Sequence, residues 1–190
     1  MRSSENRPPI RESAPPELRA AFRDLHGARL HGFALLLALG DRAIAARLAA
    51  DAIAAASART ADLRHPERAA AWLRERVMRD APGRLRRGRP QSRPERHLAL
   101  GDLGADEGAI AGLEVLDVRE RAALVATMVE RLDWRDVQTI VGVDGIRLDR
   151  LLRRANARYA GAMAAFHRGV PIEGGPITAR VRSVATRVLG

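Results

Sequence analysis

Apolar residues recur at three- and four-residue steps along most of this chain, and nowhere do they alternate with period two. Such spacing gathers them on one face of an α-helix and leaves no half-buried strand to pair. Leu18, Ala21, Phe22 and Leu25, continued by Leu30, Phe33, Leu36 and Leu37, mark a first helix. Ile44, Leu48, Ala52 and Ala55 mark a second. Gly40-Asp41 closes the first and caps the second, because an Asp side chain accepts the unpaired N–H groups of a first turn. Pro66, suited to the first helical position, opens a third helix that aligns Ala70, Leu73 and Val77. No solenoid period is present. The expected fold class is all-α. With 46% apolar but only 3% aromatic residues, its core must be built from Leu, Val, Ile and Ala.

The 190 residues suffice for one ordinary domain or two small ones. Residues 1–16, rich in Pro, Ser and mixed charge, read as a disordered tail. Residues 17–87 form a first helical block, ended by the helix-breaking Ala81-Pro82-Gly83. Residues 88–108, dominated by Gly, Pro and charge, read as a flexible linker. Residues 109–166 form a second block and 167–190 a basic extension, with a short helix expected over Pro176 to Leu189. The longest apolar run, Phe33 to Leu39, is far shorter than the roughly 20 residues that cross a bilayer. The N-terminus has no hydrophobic core of the secretory kind. A cytoplasmic chain with no membrane partner, monomeric when free, is expected.

Every one of the 33 basic residues is Arg, and the net charge is +10, which favours polyanionic partners. Three stretches concentrate it: Arg84 to Arg96, Ile146 to Tyr159, and His167 to Gly190. An Arg run is also what a solvated linker or helix face contains.

The second block is the sharper one. Asp117 and Glu120 stand in a capping-box arrangement ahead of Ala122, Val125, Val129 and Leu132 on one face. Asp133 caps a short helix with Val137, Ile140 and Val141 inward, and Gly142 ends it. Asp144 caps a longer helix with Leu148, Leu151, Leu152, Ala155 and Tyr159 on one side. The opposite side carries Arg147, Arg150, Arg153, Arg154 and Arg158. A short helix, a Gly-containing turn and a basic amphipathic helix make a helix-turn-helix, whose second helix enters the major groove with its N-terminal half near base edges. Arg147 and Arg150 fall early enough to face bases, and Arg153, Arg154 and Arg158 suit the phosphate backbone. Asp149, a carboxylate inside that helix, is a contrary signal. The other reading is an Arg-rich surface helix of a bundle.

Taken together the blocks resemble bacterial sigma factors of the extracytoplasmic-function family. Leu116-Asp117-Val118-Arg119-Glu120-Arg121 is similar to the family's L-P-x-x-x-R opening, with Asp117 in place of Pro. Leu132 to Val137, followed by Ile140-Val141-Gly142-Val143, resembles its L-S-x-x-E-I-A…L-G-V segment, and Arg154-Ala155 falls where its recognition helix ends in R-A. In the first block, Ala71-Trp72-Leu73 and Arg84-Leu85-Arg86-Arg87 resemble the W-L…R-L-R-R stretch, and Gly40-Asp41 its G-D. The chain departs from the pattern at Arg47 and Ala50, where the family has an acidic residue and Gln. The resemblance implies two helical domains that bind core RNA polymerase and promoter DNA, with an anti-sigma regulator among the partners. It puts Arg84, Arg86 and Arg87 with the DNA-binding arginines, and Asp41, Arg47 and Asp51 on the polymerase. Trp72 is either a core anchor or a stacking surface for an unpaired base.

Catalysis is not expected. The absence of Cys excludes disulfides, thiolate zinc sites and a Cys nucleophile. His26, His31, His65, His97 and His167 show no metal spacing, and Gly101-Asp102-Leu103-Gly104 lacks the Lys of a phosphate loop. No cofactor is implied. Two further readings stay open: a sigma-like decoy or adaptor that binds a regulatory protein, and a stand-alone DNA-binding regulator.

Overall fold

Five Asp residues set where helices begin. In the computed structural model, which describes residues 16–57, 66–86 and 94–169, Asp41 Oδ1 accepts the Ile44 N–H. Asp106, Asp117, Asp133 and Asp144 accept the N–H groups of Ala109, Glu120, Asp136 and Arg147 in the same way. The elements are α1 (Pro16–Leu37), α2 (Arg42–Ser57), α3 (Pro66–Asp80), the single turn α4 (Gly83–Arg86), α5 (Pro94–Gly101), α6 (Glu107–Glu114), α7 (Val118–Leu124), a π-helical turn (Val125–Val129), α8 (Trp134–Val141) and α9 (Gly145–His167). All regular structure among the described residues is helical. None of these helices is long and apolar enough to cross a membrane. The N-terminal tail and the basic C-terminal extension beyond Gly169 fall outside the described residues.

One cluster of buried side chains runs through both blocks. Leu30 and Phe33 of α1, Leu48 of α2, and Leu73 and Val77 of α3 join Val118 and Ala122 of α7, Ile140 of α8 and Leu148 of α9. Trp72 packs against this cluster half-buried. The close contact between blocks is made by α3 on α8 and α1 on α7. The stretch expected to be a linker, 88–108, carries α5, whose Ala99 and Leu100 are fully buried. Its charge had a local use: Arg96 pairs with Asp41 across 2.6 Å, so an arginine expected to face solvent is tied down.

The π-helical turn corrects one face. The sequence spacing puts Val129 inward with Ala122 and Val125, but Val129 is 63% exposed. A π turn inserts an extra residue into the helical repeat. Side chains toward its end are rotated out of the α-helical phase, and Met128 and Val129 turn outward together.

Between α5 and α6, His97 Nε2 lies 3.5 Å from Glu114 Oε1. This polar contact raises the imidazole pKa above 6.5 against the opposing effect of burial, and the charges of Glu114 and Glu107 add to the rise. A pKa higher in the folded than in the unfolded chain stabilises below the unfolded value, and that stabilisation is lost as pH rises through the folded one. The melting-temperature gap between the wild type and His97→Gln is therefore expected to be wide at about pH 6 and to close toward about pH 8.5. A gap that stays constant with pH would show that the contact carries no proton linkage.

Candidate nucleic-acid interface

The turn between α8 and α9 is three residues long. Gly142 adopts a left-handed conformation (φ +65°) and its N–H bonds to the Gln138 carbonyl, ending α8. Val143 follows and Asp144 caps α9. Leu148, Ala155 and Ala162 seat α9 on the protein, with Leu151, Leu152 and Tyr159 half-buried beside them. α6 packs along α9, and α7 contacts it as well. The five arginines that the sequence placed opposite this seat are all on the outside of the helix, but they are not equivalent.

Four of the five are engaged. Arg147 pairs with Asp144 at 3.4 Å, and Arg153 pairs with Asp149 one turn earlier. Arg154 Nε donates to Glu120 Oε1 at 2.7 Å, and Arg158 donates to the other oxygen of the same carboxylate and to the Val115 carbonyl. Glu120 itself is completely buried and also accepts the Asp117 N–H at 3.0 Å. Its two arginines are thus a clamp that fastens α9 to the start of α7. Asp149, which read as a contrary charge in a DNA-facing helix, is neutralised by Arg153. Arg150 alone of the five forms no ion pair among the described residues, and its side chain is exposed.

A groove of about 720 Å³ runs beside α9. Arg147, Arg150 and Arg154 line one wall. Arg119 of α7 and Arg79 of α3 also border it, with Glu75 and Asp117, while Met78, Val118, Ile140, Val141, Val143 and Leu151 make the rest of the lining apolar. Neither Arg79 nor Arg119 lies in an Arg run, so no sequence pattern marks them as part of a basic face. Arg119 sits in the first turn of α7, exposed and without an ion pair among the described residues. Arg79 pairs with Glu75 at 2.8 Å.

The remaining candidates are dispersed. Arg87 lies outside the described residues, as do the side chains of Arg84 and Arg86 in α4. Asp41 is spent within the fold, with one oxygen on the Ile44 N–H and the other on Arg96. Arg47 and Asp51 form an exposed pair 3.5 Å apart on α2. Among the described residues no group of three or more His, Asp or Glu is placed to hold a metal ion.

Arg121, the last residue of the L-P-x-x-x-R-like opening, is completely buried. It donates to the Leu85 carbonyl of α4 at 2.6 Å, while Nε and NH1 have no partner. Burial lowers its pKa to about 10, despite the nearby carboxylates of Asp117, Glu114 and Glu120. Its place is inside the fold, joining α7 to the end of the first block.

Comparison with family models, curated proteins and solved structures returns no match to this chain.

Proposed function

We propose that this chain is a sigma-like transcription initiation factor that binds core RNA polymerase and directs it to promoter DNA. The observation that carries the reading is α9. It is a capped, firmly seated helix that follows a three-residue turn and presents an outward basic face, with free Arg150 and Arg119 beside it. In this reading α8 and α9 are a helix-turn-helix over promoter bases, and the first block, through the exposed Arg47 and Asp51 of α2, meets the polymerase. The two blocks act as two domains on the polymerase, which requires their shared interface to open on assembly.

The adaptor reading is favoured by the engagement of Arg147, Arg153, Arg154 and Arg158 in ion pairs, which leaves fewer free charges for phosphate. Arg150→Glu separates the two readings, because Arg150 holds nothing together in the fold. Arg154→Glu is less useful, since it would set a carboxylate against buried Glu120.

The test is co-purification of the tagged full-length chain with core polymerase subunits after nuclease treatment, followed by promoter-duplex binding across a salt series. If four phosphates are contacted, affinity is expected to fall about 10²-fold between about 50 and 200 mM salt. Arg150→Glu is expected to weaken binding at least about ten-fold while leaving the polymerase bound. Recovery of a single small protein without polymerase, or binding indifferent to Arg150→Glu, would favour the adaptor.

A further inference from the structure

Ile146 lies outside the hydrophobic core of this chain. It is the second residue of α9 and is 69% exposed. At 100° per residue it falls on the side of the helix directly opposite Leu148 and Ala155, together with Arg150 and Arg153. Isolated exposed apolar residues are ordinary on protein surfaces. Ile146 differs in its place, in the first turn of the most basic helix, on the face pointing away from the core.

Arg150 is one turn further on, four residues from Ile146, so their side chains are neighbours on one face. It is also the one α9 arginine with no ion pair among the described residues. The arginines around it are held: Arg147 by Asp144, Arg153 by Asp149, and Arg154 by Glu120. Ion pairing leaves a guanidinium less free to re-aim, whereas Arg150 keeps its whole planar donor fork available. The outward face therefore offers one apolar tip and one uncommitted bidentate donor, about 6 Å apart along the helix axis.

In the major groove those two chemistries match two base edges. The thymine C5-methyl is the apolar group exposed there, and guanine N7 and O6 form the acceptor pair that takes a bidentate Arg. Resting on the promoter-binding reading above, we propose that Ile146 and Arg150 are the specificity-determining residues of α9. They read a thymine methyl and a guanine lying within about two base pairs of each other. The spacing follows from 6 Å along the helix against a rise of about 3.4 Å per base pair. Arg119, exposed beside the same groove and without an ion pair among the described residues, is placed for phosphate, a contact that carries no base preference.

The experiment selects duplexes from a randomised library with the full-length chain, alone and bound to core polymerase, and repeats the selection with Ile146→Ala and Arg150→Ala. The wild type is expected to enrich a guanine and a thymine within two base pairs. Arg150→Ala should erase the guanine preference and Ile146→Ala the thymine preference, each leaving the other intact. Atomic replacement in the selected duplex sharpens the test. Uracil for that thymine should weaken wild-type binding about four-fold, the value of one buried methyl, and should leave Ile146→Ala unaffected. Replacing guanine by 7-deazaguanine should weaken the wild type about ten-fold and leave Arg150→Ala unaffected. Circular dichroism of both variants should match the wild type, because neither side chain packs in the core. A selected sequence that both variants still choose would overturn this assignment while leaving the promoter-binding reading in place. Binding with no sequence selected, in either form, would overturn the assignment too. Failure of the wild type to bind duplex, alone or on polymerase, would overturn both.

Discussion

Glu130→Ala is expected to destabilise the chain by about 3–5 kcal/mol, the usual cost of removing one partner from a buried ion pair. Arg74 of α3 and Glu130, which follows the π-helical turn, join the two blocks. Their side chains are 4% and 13% exposed. Arg74 meets Glu130 through both Nε and NH2, the latter at 2.6 Å, and donates NH1 to the Ala70 carbonyl at 2.9 Å. The guanidinium also lies 5.7 Å over the Phe33 ring. Truncating Glu130 would strand that guanidinium between α1 and α3 with one carbonyl as its remaining partner. The double variant Arg74→Met with Glu130→Leu is expected to recover most of the loss, since apolar pairs of similar volume commonly replace buried ion pairs at little cost. Urea denaturation measured by circular dichroism and by tryptophan fluorescence checks both expectations. Trp72 lies in the first block and Trp134 in the second, so a single coincident transition is the signature of a shared core. A Glu130→Ala loss under about 1 kcal/mol would mean that the blocks are not held by this pair.

The same pair bears on the proposed activity. A sigma-like protein must present its blocks separately to polymerase, and here they are closed on each other through α3 and α8. Loosening the latch should therefore affect folding and polymerase binding in opposite directions. The promoter-binding test above becomes more informative when Glu130→Ala is included at a temperature where it remains folded.

What the sequence reveals about this structure is mostly short-range. The caps at Asp41, Asp117, Asp133 and Asp144 each depend on a residue three positions on, so local spacing was enough to place them. The inward faces of α8 and α9 follow from helical period alone. Val129 departs from the inward face because a π turn has no composition signal here, and the wider turn shifts the phase of Met128 and Val129 within it. The buried part of the 88–108 stretch was hidden by its charge: Arg96 reads as solvated until Asp41 is brought to it across the fold. The candidate site divided on the same principle. The five α9 arginines are legible as a basic face, yet which are free is not, because Glu120 lies 34 residues from Arg154 and 38 from Arg158. Arg79 and Arg119 carry no sequence signal of a site, because three-dimensional packing alone brings them to the groove.

Gly40→Ala is expected to cost about 3–4 kcal/mol, and it bears on why a Gly-Asp pair stands between α1 and α2. Gly40 follows Leu39, which already has positive φ (52°), and itself has φ +79°. The Gly40 N–H bonds to the Leu35 carbonyl and the Leu39 N–H to that of Leu36, which closes the end of α1. An alanine here would adopt a left-handed conformation at about 1–2 kcal/mol. Its Cβ would also fall 2.1 Å from the Arg96 carbonyl oxygen and 2.7 Å from the carbonyl carbon. Those are backbone atoms of α5 and cannot swing aside, so α5 must shift, loosening buried Leu100 and the Asp41–Arg96 pair together. The loss should appear in thermal or urea unfolding. Asp41→Asn, which keeps the cap and weakens only the ion pair, should cost about 1 kcal/mol. If both variants unfold like the wild type, α5 is not seated on this turn, and Asp41 is free for the polymerase contact that the family resemblance implies. If Gly40→Ala is the costly one, the pair is explained by the close approach of α5. Any polymerase contact on this side then rests on Arg47 and Asp51, an exposed ion pair of α2.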